Sequence, residues 1–147
     1  LSISDDHSFG MVGRFEWRAE AGIFANNNFV PFMNWQHFNT SEVHVMNSGL
    51  NNFKALPYYA ASTDRYFVQA HVEQHFHGFI LNKIPLIKKL KWQMVGGVHY
   101  LYQPDYGNYW EVTAGIENIF KIIRFDVVFP FREADFQQVA FRFQLGI

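Results

Sequence analysis

Six segments of this chain alternate between apolar and polar side chains, and this alternation constrains the fold more than any other feature. In the first segment, residues 9–24, one face is apolar and aromatic. The opposite face carries four charges of alternating sign, Arg14, Glu16, Arg18 and Glu20. The pattern returns in residues 65–77, 91–102, 109–117, 123–131 and 138–147. Because successive side chains of a β-strand point to opposite faces of a sheet, the sequence predicts six strands, each with one apolar and one polar face.

The connections between these segments favour antiparallel pairing. Residues 103–108 and 132–137 are short polar stretches with turn chemistry, and residues 82–90 hold a proline that could open one helical turn. Residues 26–64 form one long polar and aromatic connection, in which 42–46 and 53–59 are weak candidates for further strands. No apolar stretch follows the helical period over about 11 residues, and none has the length of a membrane-spanning helix. We therefore expect an all-β protein built as an antiparallel meander.

Strand length and aromatic position predict that the apolar face meets lipid. A bilayer-crossing strand needs about 9–11 residues, whereas strands of soluble proteins average about 5–6, and the predicted strands fall in or beyond the longer range. Aromatic side chains lie toward the strand ends, as in the girdles of membrane barrels. Charged residues make up 17% of the chain, against about 25% in ordinary soluble domains. These features predict an antiparallel transmembrane β-barrel in a bacterial outer membrane, in contact with membrane lipid and lipopolysaccharide.

The predicted barrel assigns each alternating side chain to lipid or to a polar interior. Those expected to face lipid are Phe15, Trp17, Tyr66, Trp92, Tyr100, Trp110, Phe141 and Phe143. Those expected to line the interior are Arg14, Glu16, Arg18, Glu20, Gln69, His71, Glu73, His75, His77, Arg124, Asp126 and Arg142. A soluble barrel with the opposite orientation has the same period, so a soluble β-barrel that binds an apolar ligand remains an alternative.

Six strands are too few to close a transmembrane barrel, which begins at about eight strands. Either two further strands lie within residues 26–60, or residues 1–147 are the C-terminal part of a larger barrel. We prefer the second interpretation, a single incomplete domain. Its free strand edges would pair with the remaining strands in the same or another chain, because unpaired backbone groups in lipid cost several kcal/mol each.

Charge and cysteine content exclude several functions. The net charge is -1, so no basic field favours a nucleic-acid partner. The absence of cysteine excludes disulfide frameworks, zinc ribbons, iron–sulfur clusters and thiol catalysis. The serines show no spacing typical of a catalytic triad. We expect no enzyme activity and no cofactor.

The strand at 65–77 carries the cluster with the most distinctive chemistry. His71, Glu73, His75 and His77 share its polar face, and alternate imidazoles on a strand can converge on a metal ion. His99, on the polar face of the next strand, could supply a ligand from a second element. A metal-dependent hydrolase is therefore a further alternative. We interpret the histidines as solvated interior residues, because a polar interior needs polar side chains in any case.

Several motifs in the last two-thirds of the chain point to one family. They include Leu56-Pro57-Tyr58-Tyr59, Ser62-Thr63-Asp64-Arg65-Tyr66, Asn82-Lys83-Ile84-Pro85-Leu86, Gly115-Ile116-Glu117-Asn118-Ile119-Phe120-Lys121 and Arg124-Phe125-Asp126. These motifs resemble the C-terminal barrel of an outer-membrane family of Bacteroidota whose members carry an N-terminal carboxypeptidase-regulatory-like domain. The closing Phe141-Arg142-Phe143-Gln144-Leu145-Gly146 is similar, over a shorter stretch, to the end of barrels in the surface-antigen and outer-membrane assembly superfamily.

The resemblance implies a role without catalysis, as a scaffold or conduit in envelope biogenesis, transport or surface complexes. It also implies an N-terminal domain and earlier strands that this sequence lacks. Both termini of such barrels usually face the periplasm, which puts residues 82–90 and 118–122 at periplasmic turns. Residues 26–64, 103–108 and 132–137 then become outer loops, so the longest connection lies outside, as in known barrels.

Overall fold

Nine β-strands form one sheet in the computed structural model, which describes residues 1–10, 13–25, 30–40, 45–47, 50–76 and 90–145. The strands are β1 (Ser2–Ser8), β2 (Arg14–Ile23), β3 (Val45–Asn47), β4 (Tyr66–Phe76), β5 (Gln93–Gln103), β6 (Gly107–Ile119), β7 (Ile123–Arg132), β8 (Asp135–Phe136) and β9 (Ala140–Leu145). One short 3-10 helix, Phe32–Asn34, lies in the long connection. No described helix is both long and apolar enough to cross a membrane.

The strands follow one another across the sheet as an antiparallel meander. Their order is β1-β2-β4-β5-β6-β7-β9-β3, with β8 paired to β7 beside this path. Every neighbouring pair is antiparallel except β3 and β9, which run parallel over three residues. The six strands that the sequence predicts are β2, β4, β5, β6, β7 and β9, so the prediction of an all-β antiparallel fold is confirmed.

The sequence prediction makes the first strand, 9–24, too long, and it misses the strand that pairs with one edge of it. Gly13 has a φ of 119°, outside the range of a regular strand, and the Phe9 N–H donates to the Gly13 carbonyl at 2.8 Å. The strand β2 therefore begins at Arg14 instead of Phe9. Its neighbour β1 is exposed at every position and has no apolar alternation, so periodicity did not reveal it.

The weak strand candidates in the long connection have different outcomes. Residues 53–59 are not a strand, because their only strand-like contact among the described residues is an isolated bridge between Thr40 and Phe53. Of 42–46, Val45 and Met46 fall in β3, and the rest lies outside the described residues. The helical turn expected within 82–90 lies outside the described residues except for residue 90, and His77 lies outside them as well.

The polar face of the sheet is buried and the apolar face is exposed. Along β4, burial alternates residue by residue, with His71 at 1% and Glu73 at 3% exposure beside half-buried Ala70 and Val72. On β9, Phe141 and Phe143 are about half exposed while Arg142 is buried. This is the reverse of a soluble sheet, which buries its apolar face.

Side-chain contacts show that the sheet curves strongly around its polar face. Neighbouring strands lie about 4.8 Å apart, so β4 and β7 would be about 14 Å apart in a flat sheet. The Arg124 guanidinium on β7 nevertheless donates to both carboxylate oxygens of Glu73 on β4, at 3.0 and 3.1 Å. Within the described residues the sheet stays open, because no strand there pairs with the outer edge of β1.

Candidate functional site

Residues 53–56 of the long connection, here named the inner segment, fill the concave face of the sheet. Phe53, Lys54 and Leu56 are at most 1% exposed. The Phe53 ring lies 4.8 Å from the His71 ring on β4 and 6.0 Å from the Tyr109 ring on β6. With Ala61, Leu101 and Tyr109, Phe53 and Leu56 form a small apolar cluster inside an otherwise polar cavity. The inner segment therefore occupies the space that the sheet encloses.

The ammonium group of Lys54 joins two strands across this space. It donates to Glu73 Oε1 at 2.8 Å and to Asp126 Oδ2 at 3.3 Å. Arg124 binds the same two carboxylates, and Gln144 donates a further hydrogen bond to Asp126. Each of these four buried charges, Lys54, Arg124, Glu73 and Asp126, thus has an opposite charge in contact, which a low-dielectric interior requires.

Glu111 on β6 holds the backbone of the inner segment. Its carboxylate accepts hydrogen bonds from the Lys54, Ala55 and Leu56 N–H groups at 2.8, 2.8 and 3.1 Å, and from the Tyr109 hydroxyl at 2.6 Å. One side-chain carboxylate therefore accepts the hydrogen bonds that the backbone N–H groups of residues 54–56 would otherwise donate to a neighbouring strand.

Buried charged residues of both signs surround the inner segment. Lys54 and Arg124 pair with Glu73 and Asp126. Arg142 completes the attachment, since its Nε donates to the Lys54 carbonyl at 2.6 Å. This network of ion pairs and hydrogen bonds rigidifies the interior.

Two glycines make room for the interior carboxylates. A Cβ at Gly97 would lie 3.0 Å from Glu73 Cγ and 2.7 Å from Thr113 Oγ1. A Cβ at Gly115 would overlap the Asp126 carboxylate. Glu73 and Thr113 therefore pack directly against the backbone of β5 at Gly97.

The histidines that suggested a metal site pair with other groups. His71 Nδ1 and His99 Nδ1 lie 2.9 Å apart, and His75 Nδ1 lies 3.0 Å from Glu117 Oε2. Glu73, the proposed acidic ligand, is occupied by Lys54 and Arg124. The described residues contain no group of three or more His, Cys, Asp or Glu side chains arranged for a metal ion.

The charged run on β2 lies at the margin of the polar cavity. Arg14 pairs with Glu16, and Arg18 NH2 lies 3.8 Å from Glu20 Oε2. Gln69 on β4 donates to Glu20 at 3.0 Å. These side chains are partly exposed, so the ion pairs contribute little to stability.

The aromatic residues expected to face lipid that lie within strands are on the convex face. Tyr66 is 44% exposed, Trp110 is 36% exposed, and Phe15, Trp17 and Tyr100 are half-buried on the same face. Trp92 is half-buried directly before the first residue of β5. Contact with lipid stays a prediction.

The turn between β5 and β6 closes one end of the cavity. The Arg132 guanidinium lies 4.2 Å over the Tyr106 ring, which packs 6.0 Å from the Tyr109 ring. Burial raises the pKa of the Tyr106 phenol, and the Arg132 charge opposes the rise. Tyr106 is therefore a neutral, packing side chain.

Sequence reasoning missed the residues that organise the site. Lys54 lies in a connection without periodicity, and only its tertiary contacts give it a role. Three others lie on the polar faces of predicted strands, namely Glu111, Glu117 and Gln144. Their place on those faces was a signal that could have identified them as interior residues.

Fold and site together define an all-β protein whose sheet is inverted, with charges inside and apolar side chains outside. The chain belongs to a family described as "Family of unknown function (DUF5686) C-terminal domain", which matches residues 1–116. Neither a curated protein nor a solved structure matches the chain.

Proposed function

We propose that this chain is part of a transmembrane β-barrel in a bacterial outer membrane and acts as a scaffold there. The inverted sheet is the observation that carries the proposal. In water, exposing the apolar face would forfeit about 25 cal/mol per Å2 of apolar surface, whereas in a bilayer the same face is favourable. The charged interior remains favourable in either setting because its charges are paired.

Strand length and residue bands support a membrane setting. The strands β2, β4, β5 and β7 have 10, 11, 11 and 10 residues, within the length of about 9–11 that crosses a bilayer. Val72, Val98 and Val112 lie side by side in the middle of the convex face, in a row that Trp17 and Phe129 continue on β2 and β7. Aromatic residues flank this row toward both strand ends, Tyr100, Trp110 and Phe131 on one side and Phe125 and Phe143 on the other.

The filled cavity favours a scaffold over an open conduit. The inner segment lies within the concave face and is attached to β4, β6, β7 and β9 through Lys54 and its backbone. A solute could cross this space only if these contacts broke together. Among the described residues, Phe53 and Leu56 of the inner segment pack where an apolar ligand of the soluble alternative would lie, so the arrangement does not favour that alternative.

The cellular setting rests on the sequence resemblance. We propose an outer-membrane protein of Bacteroidota, preceded by a carboxypeptidase-regulatory-like domain and by further strands that pair with the free edge of β1. Its partners would be outer-membrane lipid, lipopolysaccharide and an envelope protein complex.

An arginine scan of the convex face tests the proposal. At the lipid-facing midplane of a barrel, arginine costs about 2–4 kcal/mol, and near the interface about 0–1 kcal/mol. Val98 is 46% exposed in the middle of β5, and Ile23 is 80% exposed at the end of β2. We expect Val98→Arg to destabilise the protein folded in lipid vesicles by about 2–4 kcal/mol, and Ile23→Arg, the matched control, by less than about 1 kcal/mol.

A soluble protein with this same sheet gives a different result, because its convex face would meet water instead of lipid. On a water-exposed face both substitutions would stay within about 0.5 kcal/mol of the parent protein. Equal, small effects of Val98→Arg and Ile23→Arg, with a folded monomer in buffer without amphiphile, would contradict the membrane proposal.

A further inference from the structure

A groove lies at the end of the sheet where β5 begins and β6 turns into β7. Its volume is about 780 Å3, within the range of about 300–1,000 Å3 of small-molecule sites. It is lined by Leu90, Lys91, Trp92, Asn118, Phe120 and Lys121. None of these lining residues is acidic, so the groove carries two positive charges without a partner among them.

The backbone that builds this groove is held in an uncommon conformation. Lys91, Asn118, Phe120 and Lys121 have φ values of 55°, 66°, 51° and 70°, in the left-handed region that side chains other than glycine seldom adopt. The Asn118 amide donates to the Lys91 carbonyl at 2.9 Å, which joins the two sides of the groove. At Phe120 and Lys121 this conformation forms the tight turn between β6 and β7, as hairpin turns require.

The groove has two chemically distinct parts. Phe120 and Leu90 are 84% and 52% exposed and offer apolar surface, and Trp92, directly before β5, adds an aromatic ring to the lining. The two lysines offer cationic groups at the strand ends. Tryptophan and lysine at this level are typical of the membrane–water interface, where the ring meets the acyl boundary and the ammonium meets headgroup phosphate.

We propose that this groove binds one anionic phospholipid, with Lys91 and Lys121 on the headgroup phosphate and Trp92 and Phe120 against the glycerol and upper acyl chains. The inference rests on the proposed membrane location and names a lipid class for it. The positive charges of the two lysines match the negative charge of the phosphate, and the apolar surface of the groove matches the acyl chains. A soluble phosphate compound would leave the apolar part of the groove without a partner.

Native mass spectrometry of the detergent-solubilised protein, with added phosphatidylglycerol or phosphatidylcholine, tests the inference. Each basic residue near an anionic lipid surface contributes about fivefold, so two lysines together predict a preference for phosphatidylglycerol of about 25-fold. We expect the double variant Lys91→Gln/Lys121→Gln to bind the two lipids alike. The matched control is Arg65→Gln/Arg132→Gln, which removes two exposed cations at the other end of the sheet and keeps the preference.

The outcomes separate this inference from the membrane proposal. A parent protein that binds both lipids equally, or a lysine double variant that keeps the preference, overturns the groove assignment. Inorganic phosphate that displaces phosphatidylglycerol at equal concentration overturns the lipid assignment as well. The membrane proposal is tested separately. It stands after any of these lipid-binding results if the protein still needs amphiphile to fold and Val98→Arg still destabilises it. Parallel folding checks on all variants exclude misfolding as the cause.

Discussion

Replacing Lys54 by methionine removes a buried charge that the long connection places inside the sheet, the only one there among the connection's described residues. Lys54 is 1% exposed, and its ammonium contacts Glu73 at 2.8 Å and Asp126 at 3.3 Å. Removing one partner of a buried ion pair costs about 3–5 kcal/mol, because a buried charge loses its counter-charge. Arg124 continues to hold both carboxylates, so we expect the lower end of this range, about 3 kcal/mol.

Urea unfolding in detergent micelles, followed by tryptophan fluorescence, measures this loss. Methionine keeps the length of the side chain, so the experiment isolates the charge from the packing. The matched control is Lys121→Met, which removes an exposed ammonium and should change the free energy of unfolding by less than about 0.5 kcal/mol. A double-mutant cycle with Asp126→Asn should give a coupling of about 1 kcal/mol or more.

Two results would refute the reasoning. The first is a Lys54→Met protein as stable as the Lys121→Met control. The second is strict additivity of Lys54→Met and Asp126→Asn, which would show that the two side chains do not interact across the cavity.

Three further predictions concern the cavity. Gly115→Ala should lower the free energy of unfolding by about 1–3 kcal/mol, because the new Cβ would overlap the Asp126 carboxylate. Gly96→Ala is the control and should change it little, since no atom lies closer than 3.9 Å to a Cβ there; equal unfolding midpoints of the two variants would contradict this. Glu111→Ala should free the inner segment, so that limited proteolysis cuts it faster and planar bilayers containing the protein conduct more; unchanged cleavage and conductance would argue against the attachment. Excess EDTA should leave the unfolding midpoint unchanged, and a chelator-dependent midpoint would instead support a metal at the His71 and His99 pair.

Alternation along the chain sufficed to predict most of the sheet. The polar stripe at His71, Glu73 and His75 predicted both the strand β4 and the face that its side chains share. This worked because strand periodicity is local and each strand has two clearly different faces. The same local signal predicted that Arg124 and Asp126 share the polar face of β7, and in the structure the two side chains form an ion pair there at 3.0 Å.

The remaining elements depend on contacts that are distant in sequence. The inner segment has no period, and its position is decided by Glu111, which follows Lys54 by 57 residues. The strand β1 has a polar sequence, and pairing with β2 makes it a strand. Composition also could not show that Glu73 would be occupied by Lys54, which removes it from the suggested metal cluster.

Depth-dependent quenching of single tryptophans tests the central claim that the convex face meets lipid. Three variants each keep one native tryptophan, Trp17, Trp110 or Trp35, with the others replaced by phenylalanine, and are folded into vesicles of brominated lipid. Trp17 and Trp110 lie on the convex face, whereas Trp35 lies in the long connection and donates to the Val30 carbonyl at 3.0 Å. The account predicts strong quenching of Trp17 and Trp110 and little quenching of Trp35. Unquenched Trp17 and Trp110 in the folded protein would contradict it.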